Sequence, residues 1–84
     1  MRMTGKEFVI ERRKADGSPL ARPAYYQGDV PVYAKAQGPA LWGGLAYARR
    51  WPARSRPLRK MLARLNSEGF VVAVRTVATF EDVT

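Results

Sequence analysis

The chain contains no cysteine and no histidine. Without cysteine there are no disulfides, no thiolate nucleophile and no zinc site built on sulfur, which fits a reducing compartment. Without histidine the usual general base and the commonest transition-metal ligand are missing, so neither a metal nor a cofactor is expected. Acids are scarce as well: seven Asp and Glu stand against fifteen Lys and Arg, for a net charge of +8. That balance points to an anionic partner and fixes its sign without fixing its identity. No apolar run approaches the roughly 20 residues of a membrane span. Met1-Arg-Met-Thr-Gly-Lys also leads into a charged segment with no secretory core behind it. The sequence therefore predicts a cytoplasmic protein that does not engage a membrane.

What is present suits one small folded unit. An apolar share of 46% in 84 residues is that of a globular chain. A chain of this size has room for one modest core. We expect a single domain over 1–84, with residues 1–5 and 79–84 frayed.

Lys6 to Arg12 alternates as a strand, with Phe8 and Ile10 on one face and Val9 and Glu11 on the other. Turn formers follow in Arg13-Lys-Ala-Asp16-Gly17-Ser18-Pro19, where Asp-Gly supplies a hairpin signal. Ala24 to Gln27 is a second strand, ended by Gly28-Asp29. Val30, Val32 and Ala34 alternate with Pro31 and Tyr33, and Pro31 limits this piece to an edge strand or extended loop. Gln37 to Gly44 reads as irregular, with Trp42 tucked under the sheet as a core anchor. Leu45 to Trp51 is ambiguous between a strand and a helical turn, and Pro52 ends it.

The clearest helix comes next. Ser55 can cap it, Pro57 suits its first turn, and Leu58, Met61, Leu62 and Leu65 form one apolar stripe. Gly69 stops it. Phe70 to Val77 is apolar on both faces and β-branched, which reads as the central strand of the sheet. The order predicts an α+β fold: three to four strands in an antiparallel or mixed sheet, with one main helix late in the chain before the last strand.

No acidic residue lies between Asp29 and Glu68, and Lys35 begins a basic block within that stretch. The block carries Arg49, Arg50, Arg54, Arg56, Arg59, Lys60 and Arg64, the candidate binding residues. With the leucine stripe turned inward, Arg56, Arg59, Lys60 and Arg64 point outward, and Arg49, Arg50 and Arg54 enter from the preceding segment. Arg54 and Arg56 sit at the positive end of the helix dipole, which costs about 0.3–1 kcal/mol without an anion there. An anion would find guanidinium groups and free backbone donors together. The plainer reading is a solvated face, with Trp51 stacked under an arginine as ordinary packing.

Trp51 and Tyr47 are the candidate stacking or anchor aromatics beside that block, since single-stranded nucleic-acid binders set rings along basic grooves. Trp42 and at least one tyrosine are expected to fill the core instead. Glu68 to Val74 lacks the basic first residue and second aromatic of an RNA-recognition strand, and the chain has one helix where that fold needs two. Gly38 to Gly44 has no lysine followed by serine or threonine, so it is no nucleotide-hydrolase loop. A double-stranded-RNA module ends in its main helix, whereas this chain continues into a strand. RNase toxins of the RelE type work without histidine but place their helices before the sheet. Ser18, Ser55 and Ser67 have no neighbouring base and Glu68 no paired carboxylate, so we expect no enzyme.

The layout of Phe8-Val-Ile10, Tyr25-Tyr26, Trp42, Ala48-Arg-Arg-Trp51, the Ser55-capped helix and the Phe70-Val-Val strand resembles that of short phage and prophage accessory proteins. The likeness is one of apolar spacing over most of the chain and carries no functional residue across. It implies a stoichiometric binder that redirects host machinery, as anti-CRISPR inhibitors of bacterial defence complexes do. The expected partners are an acidic protein surface or a nucleoprotein complex such as a CRISPR effector, with direct DNA or RNA binding as the alternative.

Overall fold

Alternation of β-branched and aromatic residues makes the first strand, β1 (Arg2–Arg13), and the turn after it carries the expected chemistry. Gly17 takes a φ of 86°, a left-handed conformation that its missing side chain permits. Asp16 Oδ1 accepts from the Ser18 backbone N–H at 2.9 Å and from its hydroxyl at 2.6 Å. The chain then returns as β2 (Tyr25–Asp29), which continues through the Gly28-Asp29 pair expected to end it. We describe residues 2–29 and 40–81 of a computed structural model. The reading of residues 30–39 as an edge strand or loop, and the tail beyond Glu81, lie outside those residues.

The segment around Trp42 is a strand, β3 (Ala40–Gly43), rather than irregular chain. Tyr26 pairs with Trp42 and Tyr25 with Gly43 across an antiparallel ladder. A 3-10 turn over Leu45–Tyr47 resolves the ambiguity of the next piece as a single helical turn followed by extended chain. The helix, α1 (Arg56–Ser67), spans the predicted stripe. Its last strand is β4 (Val71–Glu81), and together the strands form a four-stranded antiparallel sheet in the order β3-β2-β1-β4.

That order corrects two expectations. β4 lies at the edge and β1 occupies the interior, so the apolar residues on both faces of β4 do not signal a neighbouring strand on each side. The pairing also runs further than expected, with Arg2 opposite Glu81, so the stretches 2–5 and 79–81 are held in the ladder with one irregularity between Met3 and Gly5.

β1 and β2 pair at Glu11 and Tyr25, beside the turn, and Arg12 N–H donates to Ala24 O at 2.8 Å. Further along, the chain before the helix runs between them. Arg49 N–H donates to Tyr26 O at 2.9 Å, while Phe8 and Trp51 exchange backbone hydrogen bonds of 2.8 and 2.9 Å. Trp51 thereby enters the core and stacks on Tyr26 at 6.2 Å between ring centroids.

Ile10, Tyr26, Trp51, Leu58 and Leu65 form the core between sheet and helix, with Phe8, Trp42, Met61, Leu62, Phe70 and the valines 72 and 74 packed around it. Each fully buried leucine is worth about 1.5–3 kcal/mol. Beyond Glu68 the helix closes as a Schellman motif. Gly69 at φ 96° donates to Asn66 O at 3.1 Å, and Phe70 N–H reaches Leu65 O at 3.0 Å. That turn delivers Phe70 against the core and aims the chain into β4.

Candidate functional site

At about 100° per residue, Leu58 and Leu65 define the inward direction of α1. Arg56 and Lys60 fall nearly opposite them, Arg59 lies on one flank and Arg64 on the other. All four are exposed, and Arg56, Lys60 and Arg64 at four-residue spacing, with Arg59 beside them, make up the outward row of the helix. Arg56, Arg59 and Lys60 make no ion pair among the described residues, whereas Arg64 Nε binds Glu68 Oε1 at 3.2 Å one turn on. The helix has no acid in its first turn. Ser55 occupies the cap position with an extended backbone but makes no capping hydrogen bond through its side chain. The positive end of the helix is therefore left with cations around it and donors unpaired by the cap.

The arginines ahead of the helix do not all join that row. Arg54 is drawn back over the Phe8 ring, 6.0 Å from its centroid, on the helix side of the sheet. Arg49 lies 5.3 Å over Trp51 and closes the core there. Arg50 Nη1 stands 4.0 Å from Glu7 Oε1, a loose pair with a residue that alternates to the opposite sheet face from Phe8. The basic block thus divides into an outward helix row, two arginines laid on aromatic rings, and one turned toward the other face.

The two candidate aromatics separate as well. Trp51 is buried as an anchor, with no open face for a base. Tyr47, on the 3-10 turn, is 81% exposed and presents its ring to solvent.

Two basic clusters lay outside the predicted set. Arg12 sits over both Trp42 and Phe70, at 5.6 and 5.1 Å, and these rings are themselves 5.1 Å apart. Its even position beside Phe8 and Ile10 marks it for the helix side, a signal the alternation carried. The second cluster is on the far face. Glu11, only 2% exposed, accepts from Arg75 Nη1 at 3.0 Å, and Arg13 Nε stands 2.7 Å from its other oxygen as an ion pair without hydrogen-bond geometry. Two guanidiniums on one carboxylate leave the group net positive. A lone arginine inside the apolar run of β4 was the available sign of it.

The Ser18 hydroxyl and backbone N–H, both donating to Asp16, hold its carboxyl below the usual value near 3.8. Among the described residues no three Asp, Glu, His or Cys side chains gather as a metal site, and no helix is long and apolar enough to cross a membrane. The arrangement offers guanidinium and ammonium groups to anions, on a helix fixed by its leucines.

No protein-family model matches the chain, and neither a curated protein nor a solved structure matches it.

Proposed function

We propose that this is a non-enzymatic binding protein whose outward helix row, Arg56, Arg59, Lys60 and Arg64, docks on an acidic protein surface or on a nucleoprotein complex. The observation that carries the reading is the exposure of that row without countercharge on Arg56, Arg59 or Lys60 among the described residues, at a helix end lacking acids. Cations held apart from countercharge in the free protein lose no internal pair when a partner's carboxylates or phosphates arrive. Inhibition of a host defence complex is the most concrete form of this function, and it calls for no cofactor.

Reversing Arg56, Arg59 and Lys60 to glutamate tests it, leaving Arg64 to its pair with Glu68. Pull-down from the native host, with and without nuclease, should lose the partner for the variant while its circular dichroism stays that of the parent. Undiminished capture by the folded variant would remove the proposal.

Direct nucleic-acid binding is the second reading, and the exposed ring of Tyr47 favours it. It requires affinity for free single strands that falls steeply with salt. A flat low-salt titration with DNA and RNA oligonucleotides would exclude it.

A further inference from the structure

The backbone of β1 determines what β4 shows to solvent. Phe8 N–H and C=O are spent on Trp51, and Arg12 N–H is spent on Ala24, all on the β2 side. Their partners across the ladder, Thr76 and Val72, are therefore in non-hydrogen-bonded pairs, with their own N–H and C=O turned the other way. The same parity applies to Val74 and Ala78. Four N–H and four C=O groups thus line the outer side of β4, where no strand lies among the described residues. The strand is long, and from Val71 to Thr79 it carries one charge, Arg75, and no proline or lysine that would blunt it.

A cleft of about 310 Å³ adjoins this edge on the sheet face away from α1. Val9, Val77 and Leu45 supply apolar walls, Tyr25 closes one side, and Arg75 stands at the β4 side. The Arg75 side chain is 53% exposed and uses Nη1 on Glu11, leaving the rest of its guanidinium open. An apolar hollow beside a half-free arginine and eight unspent backbone groups has the parts of a strand-addition site. Main-chain bonds supply adhesion and alternate side chains supply choice.

We propose that β4 accepts an extended acidic peptide segment of a partner protein as a fifth, antiparallel strand. An apolar side chain opposite Val77 leans into the cleft, and two residues later an aspartate or glutamate faces Arg75. The occupant carries charge opposite to the chain's +8. A second copy fits less well. An antiparallel self-pairing that uses most of β4 sets the two Arg75 residues opposite or diagonal to each other, where like charges repel. This surface is on the other side of the sheet from the α1 row and is tested without it.

The probe is a capped nine-residue peptide of threonine and serine with one leucine and, two positions later, one glutamate; its control has lysine for the glutamate. Amide hydrogen exchange followed by NMR on the full chain should show at least tenfold added protection at Val72, Val74, Thr76 and Ala78 with millimolar glutamate peptide. Lysine peptide should give much less. Thr76→Pro removes one outward donor and no donor of the β1–β4 ladder, so it should keep the fold and bind at least tenfold more weakly. Unchanged exchange at the four amides in the wild-type chain would overturn the proposal, as would equal binding of the lysine peptide or of a folded Thr76→Pro. Protection that grows with protein concentration alone would give the edge to a second copy and likewise overturn it.

Discussion

Phe8 and Trp51 exchange both of their backbone hydrogen bonds, at 2.8 and 2.9 Å, and this holds an otherwise irregular segment inside the sheet. The indole it delivers lies flat against Tyr26, with 22° between the ring planes. Trp51→Ala empties a space the sheet cannot close, and we expect a loss of about 3–5 kcal/mol in urea unfolding. Trp51→Phe keeps a stacked ring and should lose clearly less. A loss below about 1 kcal/mol for alanine would mean that the slot collapses and the ring is dispensable.

Glu11 is the one buried charge in the described core, with an arginine on each oxygen. Glu11→Ala strands two guanidiniums together, and we expect a cost of roughly 3 kcal/mol, the lower end for a broken buried pair because Arg75 stays half in water. Arg75→Ala leaves Glu11 with Arg13 and should cost less. Thermal unfolding of the two variants ranks them, and the reverse ranking would refute the account.

Ser55 holds the cap position without its hydrogen bond, and the helix starts among cations. Ser55→Asp adds an acceptor and a negative charge there, for a gain of about 0.5–1 kcal/mol. The same change weakens the local field, so partner capture should fall as the melting temperature rises. Stability and binding rising together would contradict the proposed docking row.

Asp16 is more acidic in the fold than free, because Ser18 hydrogen bonds favour its ionised form. Its contribution is therefore complete above the usual 3.8 and is lost as the pH falls through the lowered folded value. Asp16→Asn should remove that part of the acid sensitivity. Denaturation midpoints of the two proteins should differ near neutrality and converge in acid; a gap that stays constant with pH would count against this.

Legibility followed locality. Leu58, Met61, Leu62 and Leu65 at helical spacing located α1, and Gly69 located its end, because both signals lie within about two turns of chain. Asp16-Gly17 located the hairpin for the same reason. The strand around Trp42 does not read from the sequence, since four residues beside Gly43-Gly44 show too little alternation, although Trp42 itself packs against the core as expected. β4 reads as central because Val72 and Val74 meet the core while Val77 puts an apolar side chain on the other face, where it lines a cleft, and apolar residues on both faces look like an interior strand. Among the candidate site residues, the helix stripe predicts the outward row, and the reading of Trp51 under an arginine is met by Arg49 two residues away, whereas nothing local announces that Arg54 lies on the ring of Phe8. The Phe8–Trp51 bridge joins residues far apart in sequence and has no local sign, and the Glu11 cluster has only the lone Arg75 inside the apolar run of β4.

The ladder between β1 and β4 also sets the order in which this protein can be made. β1 leaves the ribosome first among the elements, yet the strand it pairs with from Arg2 to Arg13 leaves last. The turn at Asp16 and the helix can form early, since their contacts are short-range, but Ile10 has no complete shelter until β4 has emerged. Until then the nascent chain exposes an unpaired, β-branched strand, the kind of surface that chaperones hold and that misassociates when crowded.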